Sequence, residues 1–138
     1  MTTCPHCMNS LGSEYRQYGA TYSVMHHSQL IDALFQDNKI SLDEKSAAQE
    51  AIAFHDPCYL GRYQGEYDAP RRDLTRLKGV SLVEMERHRE KSFCCGAGGG
   101  RMWMEEHIGE RVNNMRTDQA VATGAKTIAV GCPFCLTM

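Results

Sequence analysis

Ala51-Ile52-Ala53-Phe54-His55-Asp56-Pro57-Cys58 is the stretch on which the reading of this sequence turns. A short apolar run is stopped by Asp56-Pro57, and proline restricts the residue before it, so the run reads as a buried strand that ends in a turn. Cys58 lies just past that end. The pattern recurs downstream, where the apolar run over residues 127–130 delivers Cys132 and Cys135 within Cys132-Pro133-Phe134-Cys135. Between the two, residues 80–85 read as a third strand, and a charged loop over 86–91 leads from it to Ser92-Phe93-Cys94-Cys95-Gly96-Ala97-Gly98-Gly99-Gly100-Arg101.

Helices are expected in the intervals. Asp68 and Pro70 start one in which Leu74 and Leu77 face inward, and Gly79 ends it. From Met102 onward Met104, Ile108, Val112, Met115 and Ala122 recur at helical spacing as one apolar stripe, with Gly124 as C-cap. Alternation of strands and helices predicts an α/β fold, a parallel sheet flanked by helices. Such a sheet gathers its strand-to-helix loops on one side, which places the cysteines at the C-terminal edge of the strands.

The N-terminal part reads less simply. Cys4-Pro5-His6-Cys7 is followed by a predicted helix over 8–18 closed by Gly19, a weak strand over 22–26, and a helix capped by Ser28 that runs through Leu30, Ile31, Leu34 and Phe35. Ser41 and Glu44 fit a capping box for a helix over 42–49, while residues 39–42 equally suit a short strand. Cys4-Pro5-His6-Cys7-Met8 echoes Cys132-Pro133-Phe134-Cys135-Leu136, an internal repeat. Residues 1–38 are therefore expected to be the tail of a preceding, similar domain. Residues 39–138 form a second one that lacks its terminal helix and strand, a place that residues 8–36 are free to fill in this chain or a neighbour.

Composition sets outer bounds. The chain of 138 residues is 42% hydrophobic and 23% charged, ordinary values for one compact globular domain. A net charge of −2 and a pI near 6.3 give no electrostatic footprint for nucleic acid, and the densest basic run, Arg71, Arg72, Arg76 and Lys78, reads as the solvated face of a helix. There is no apolar N-terminal segment and no apolar run of about 18 residues, so the expected location is cytoplasmic, with no membrane span and with reduced thiols. Seven cysteines, reduced and clustered, point to metal or redox chemistry.

Adjacent cysteines cannot bond each other without strain, so Cys94 and Cys95 must find other partners. Cys58, Cys94, Cys95, Cys132 and Cys135, all arriving at one sheet edge, suggest a metal cluster. Gly96, Gly98 and Gly99 would let backbone approach an anionic sulfur centre without Cβ clashes, and Arg62 and Arg101 are candidate cations beside it. The plainer readings are a flexible glycine loop and solvated arginines. Zinc competes with iron–sulfur: Cys4, Cys7, Cys132 and Cys135 have the form of a tetrahedral site, although that leaves Cys58, Cys94 and Cys95 without a role, and zinc is also an adventitious occupant of thiolates. Cys4-Pro5-His6-Cys7 has a dithiol-exchange form, but the strand such a site follows is missing. His55 is a catalytic candidate, able to hydrogen-bond a ligand sulfur or carry a proton, or else a satisfied strand-end residue. His6, His26, His27, His88 and His107 show no metal spacing, and Met102-Trp103-Met104 is expected to pack on the sheet.

Taken together, Cys58, Cys94-Cys95-Gly96 and Cys132-x-x-Cys135, within His55-Asp56-Pro57-Cys58-Tyr59-Leu60-Gly61-Arg62 and Phe93-Cys94-Cys95-Gly96-Ala97-Gly98-Gly99-Gly100, resemble the cysteine-rich CCG domain of heterodisulfide reductase-like iron–sulfur oxidoreductases. Met102-Trp103-Met104-Glu105-Glu106 looks most like the membrane-associated members that pass electrons from electron-transfer flavoprotein to menaquinone. The resemblance implies that the five cysteines ligate one noncubane [4Fe–4S] cluster, with Cys4 and Cys7 the remnant of an incomplete second site. It implies a flavoprotein or ferredoxin-type electron donor, a quinone or disulfide acceptor, and the rest of an oxidoreductase polypeptide or complex as partner. It also allows attachment at the cytoplasmic face of a membrane through other segments.

Overall fold

The computed structural model describes residues 1–43 and 49–138. Three parallel strands form one sheet in the order β2-β1-β3, with β1 (Glu50–His55) between β2 (Val80–Val83) and β3 (Thr127–Val130). Ala53 lies beside Val83 and His55 beside Val130, so the three strands finish at a common edge. Because β1 has a neighbour on each side and helices over the sheet, Ile52, Ala53, Phe54 and His55 are all buried. That burial is why β1 is an unbroken apolar run and not an alternating one.

Helix α3 (Asp68–Thr75) connects β1 to β2, and α4 (Val112–Val121) lies between β2 and β3. Ala120 of α4 meets Ala53 of β1 and Met85, with Ala125 and Ile128 at the margin of this cluster. The buried face of α4 is Arg116 and Ala120, one turn apart, and not the predicted stripe. Its start is also later than predicted. Gly99 and Gly100 adopt left-handed backbone within the 3₁₀ turn Gly98–Trp103, and Gly109 does so again, so the glycine run does not enter a helix. Trp103 and Ile108 are 85% and 95% exposed in consequence, which overturns the expected packing of Met102-Trp103-Met104 as a unit on the sheet. Met102 alone of the three packs inward, against the cysteine cluster.

The N-terminal part folds onto this sheet-and-helix unit. Helix α1 (Pro5–Gly12) packs on the π-helical turn Tyr59–Tyr63, and α2 (His27–Gln36) packs on α3. The predicted helix over 8–18 is thus two pieces, α1 and a 3₁₀ turn Glu14–Tyr18, because Pro5 starts helix at once. In place of a strand over 22–26 there is one parallel bridge, Thr2 with His26. His26, and not Ser28, caps α2: its Nδ1 accepts the Ser28 N–H at 3.4 Å, while Gln29 Oε1 accepts the His26 N–H at 3.0 Å. With Nδ1 accepting, Nε2–H donates to the Gly131 carbonyl at 2.9 Å, beside Cys132. Glu44, the partner of Ser41 in the predicted capping box, lies outside the described residues, and 39–43 form no strand.

The basic run of α3 is not a solvated face. Arg71 is buried and forks onto two carboxylates, Asp56 at 2.6 and 2.9 Å and Glu84 at 2.6 and 2.9 Å. Arg72 reaches Asp32 Oδ2 of α2 at 2.6 Å, and Arg76 Nη1 lies 2.7 Å from Asp32 Oδ1. The hydrogen bonds from Arg72, followed by those from Arg76, hold the buried Asp32 carboxyl down at about 2 against the opposing effect of burial.

Two outcomes are expected. Asp32→Asn should cost about 1 kcal/mol at pH 7, a modest figure because Arg72 is 47% exposed and its pair is screened. The folded-state value of about 2 lies below the ordinary carboxyl value of about 4, so the stabilisation is present above about pH 4 and is lost toward pH 2. Thermal melts of the two proteins should differ at pH 7 and converge near pH 2. Gly96 has φ +80°, and a Cβ there would sit 2.8 Å from the Asn113 amide nitrogen at the start of α4. Gly96→Ala should therefore lower stability by about 1–3 kcal/mol. Gly98→Ala, with ordinary φ and open space around its Cβ, should change it by less than about 0.5 kcal/mol in the same denaturant titration.

Candidate metal centre

The five cysteines of the predicted set arrive from the C-terminal ends of the three strands. Cys58 follows β1 by two residues, where Pro57 accepts the amides of Leu60 and Gly61 on its carbonyl and starts the turn that carries the thiol. Cys132 follows β3 by one residue, and Pro133 opens the 3₁₀ turn that brings Cys135 back over the sheet edge. Cys94 and Cys95 come from the long connection after β2. That connection is anchored to β1: the Asp56 carboxylate accepts the Arg89 N–H at 2.7 Å, and Ser92 Oγ–H donates to the Asp56 carbonyl at 3.2 Å. Arg62 donates to the Ser92 carbonyl from the turn after Cys58.

The five sulfurs meet in a continuous series of contacts, Cys58 to Cys94, Cys94 to Cys95, Cys95 to Cys135 and Cys135 to Cys132. All are free thiols. Cys95, Cys132, Cys135 and Ala97 are buried together, and Cys94, Met102, Val130 and Met138 close the cluster from outside. Ionisation is uneven along the series, with Cys94 and Cys132 lowered and Cys58, Cys95 and Cys135 raised. Hydrogen bonds from Cys58 and Cys95, aided by the Gly96 N–H at 3.3 Å, hold the Cys94 thiol far below its ordinary range. Cys58 is pushed up in return, by that same bond to Cys94 and then by burial. Cys132 is lowered by its bond from Cys135, and Cys135 is raised by its bonds to Cys132 and Cys95. Thiolates packed this tightly cannot all ionise without a cation, and a metal would supply one at the cost of displaced protons.

Among the described residues two sets of side chains each bring their ligand atoms within 4.8 Å of one another: His55, Cys95 and Cys135, all buried, and Cys4, His6 and Cys132. His6 Nδ1 lies 3.8 Å from both Cys4 Sγ and Cys132 Sγ, so the proline-histidine insert of the N-terminal motif reaches the five-thiol cluster. Sequence spacing assigns His6 no such place. Cys7 is exposed, and the tetrahedral set Cys4, Cys7, Cys132 and Cys135 is not among the groups within ligand distance among the described residues.

His55 is wholly buried at the end of β1, and its Nδ1 accepts the Nε–H of Arg116 at 2.9 Å. Burial, reinforced by the Arg116 charge, lowers its pKa to about 4. Its Nε2 has no partner among the described residues. Arg101 is exposed and paired with Glu106, and Gly98, Gly99 and Gly100 line an exposed cleft of about 240 Å³ with His6, Ala97, Met102, Trp103 and Phe134. Arg116 escaped the sequence reading altogether. It is 0% exposed on α4 and bonds His55, the Arg87 carbonyl, Gln119 and Ser92. The signal was its spacing of one turn from Ala120, visible only once the helix is known to start at Val112.

Comparison with known proteins places these features in a family. Residues 52–138, well over half of the chain, match the CCG cysteine-rich domain. The chain is 49% identical over its whole length to the probable iron-sulfur-binding oxidoreductase FadF of Bacillus subtilis, and spans 19% of it. It is 39% identical over its whole length to the EtfAB:quinone oxidoreductase of Syntrophomonas wolfei, and spans 20% of that protein. Over 83% of its length it is 38% identical to one subunit of the dihydromethanophenazine:CoB–CoM heterodisulfide reductase of Methanosarcina mazei, spanning 27% of that polypeptide. The chain thus covers a fifth to a quarter of the relatives it matches, and no helix among its described residues is long and apolar enough to cross a membrane. With its Cys-Cys-Gly turn and paired strand-end cysteines on a parallel sheet, the chain belongs to the CCG cysteine-rich domain family.

Proposed function

We propose that this chain is the electron-transferring module of an iron–sulfur oxidoreductase, holding one [4Fe–4S] cluster of the noncubane type on Cys58, Cys94, Cys95, Cys132 and Cys135. The observation that carries the reading is the packing of Cys94, Cys95, Cys132 and Cys135 into one cluster at the sheet edge, with Cys58 coupled to Cys94 and a wholly buried arginine behind His55. The residues fit such a group. Thiolates are the ligands that iron–sulfur clusters take, and the anionic assembly suits a site with a buried cation, a backbone N–H on Cys94 and an unsatisfied histidine nitrogen. Zinc would use four of the sulfurs at most.

When bound, the cluster supplies a site that takes up and releases single electrons. The chain's own residues do the rest. Ala97, Met102, Val130 and Met138 shield the sulfurs from water, and Asp56 and Arg71 hold the loops that present them. His55 keeps a neutral ring, since burial and the adjacent Arg116 both oppose a second proton, so it serves as a hydrogen-bond donor and not as a proton carrier. The relatives named for EtfAB:quinone and heterodisulfide chemistry support a flavoprotein or iron–sulfur donor and a quinone or disulfide acceptor, engaged through the remainder of a larger polypeptide or complex. We read residues 1–38 as the tail of a preceding repeat, a reading supported by Cys4-Pro5-His6-Cys7 and by the seat of Cys4 and His6 beside Cys132.

Protein reconstituted without oxygen should hold about four iron and four sulfide per chain and absorb broadly near about 400 nm. Cys94→Ala and Cys95→Ala should each lose most of the iron. Zinc at about one per chain, with no iron uptake on reconstitution, would refute the proposal.

A further inference from the structure

Arg116 is a buried cation that bonds no carboxylate among the described residues. Among the described residues its guanidinium donates to His55 Nδ1 at 2.9 Å, to the Arg87 carbonyl at 2.8 Å, to Gln119 Oε1 at 2.7 Å and to Ser92 Oγ at 3.3 Å, every one an uncharged acceptor. Arginine keeps its proton in such surroundings, so the charge must be balanced from elsewhere. Asp56 is the carboxylate that acts on it, and Cys135 and Cys95 would do so once ionised as ligands. Asp56 is already forked by Arg71, which leaves the sulfurs.

The same contact fixes a tautomer. An arginine Nε–H only donates, so His55 Nδ1 accepts and the ring hydrogen resides on Nε2. Nε2 is buried with no partner among the described residues, and a ring nitrogen of His55 lies within 4.8 Å of the Cys95 and Cys135 sulfurs. A hydrogen-bond donor is therefore held ready beside two of the five thiols, with a positive charge directly behind it.

Resting on the cluster-binding reading above, we propose that Arg116 is a positioning residue that fixes His55 as an Nε2–H donor toward the sulfurs of Cys95 and Cys135 and, by its buried charge, raises the reduction potential of the cluster they hold. Reduction adds negative charge, and a nearby cation and N–H donor stabilise the more negative state. Ser92 and Gln119 orient the guanidinium, and Arg87 contributes through its carbonyl alone.

The test is a redox titration, followed by electron paramagnetic resonance, of wild-type, Arg116→Gln and Arg116→Lys proteins after anaerobic reconstitution, with iron and sulfide measured on each. Arg116→Gln should keep its iron while its equilibrium shifts at least tenfold toward the oxidised cluster, about 59 mV for one electron. Arg116→Lys, which restores the charge, should recover most of that shift. Full iron with an unchanged potential in Arg116→Gln would overturn the role of Arg116 and leave the cluster reading standing, whereas wild-type protein that takes up no iron would overturn both. Should Arg116→Gln fail to fold, nitrogen-15 spectra of the metal-free wild-type protein still decide the first half of the proposal. The Nε2–H tautomer of His55 is expected, and the Nδ1–H tautomer would overturn it.

Discussion

The carboxylate of Asp56 is the point at which the separate parts of this fold are tied together. It follows the end of the central strand, is gripped by both terminal nitrogens of Arg71 from α3, and accepts the backbone N–H of Arg89 from the connection that leads to Cys94 and Cys95. Arg71 in turn reaches Glu84 just past the end of β2. Cys58 lies two residues away. Breaking a buried ion pair by removing one partner is far more costly than losing an exposed one, on the order of 3–5 kcal/mol, because the remaining charge is stranded. The position of the thiols thus depends on a polar clamp beneath them as much as on the apolar packing of Ala53, Met85 and Ala120.

Parallel topology supplies the convergence and electrostatics supplies the selectivity. Strands that end together deliver Cys58 and Cys132 to neighbouring places, since His55 and Val130 are register partners, and the turn at Gly96 brings the adjacent pair between them. Five thiols in contact repel one another as thiolates, so in the metal-free state their protons are shared unevenly along the series. Such an arrangement is unfavourable as a simple core and favourable around a cationic or metal-containing guest. Arg116, buried and bonding no carboxylate among the described residues, stands on the far side of His55.

Much of this was legible in the sequence. The three strands, their order along the chain, the helix over Asp68 and the delivery of cysteines at strand ends follow from short apolar runs bounded by Asp-Pro, Gly and Cys. The misreadings have specific causes. Met102, Met104 and Ile108 share helical spacing with Val112 and Met115, but left-handed backbone at Gly99, Gly100 and Gly109 keeps that stretch out of a helix, and Met104 and Ile108 face outward. Arg71 looks like a surface residue because a sequence does not show which carboxylates will fold against it. His26 reaching Gly131, and His6 beside Cys132, depend on contacts between segments more than 100 residues apart, and no local pattern encodes those.

The central claim is that one cluster sits among Cys58, Cys94, Cys95, Cys132 and Cys135. Anomalous X-ray scattering at the iron absorption edge, from crystals of anaerobically reconstituted protein, locates the metal directly. The account predicts a compact group of iron sites bounded by those five sulfurs, at the edge where β1 and β3 end. Iron or zinc confined to Cys4, His6 and Cys132, with the remaining thiols unligated, would contradict it.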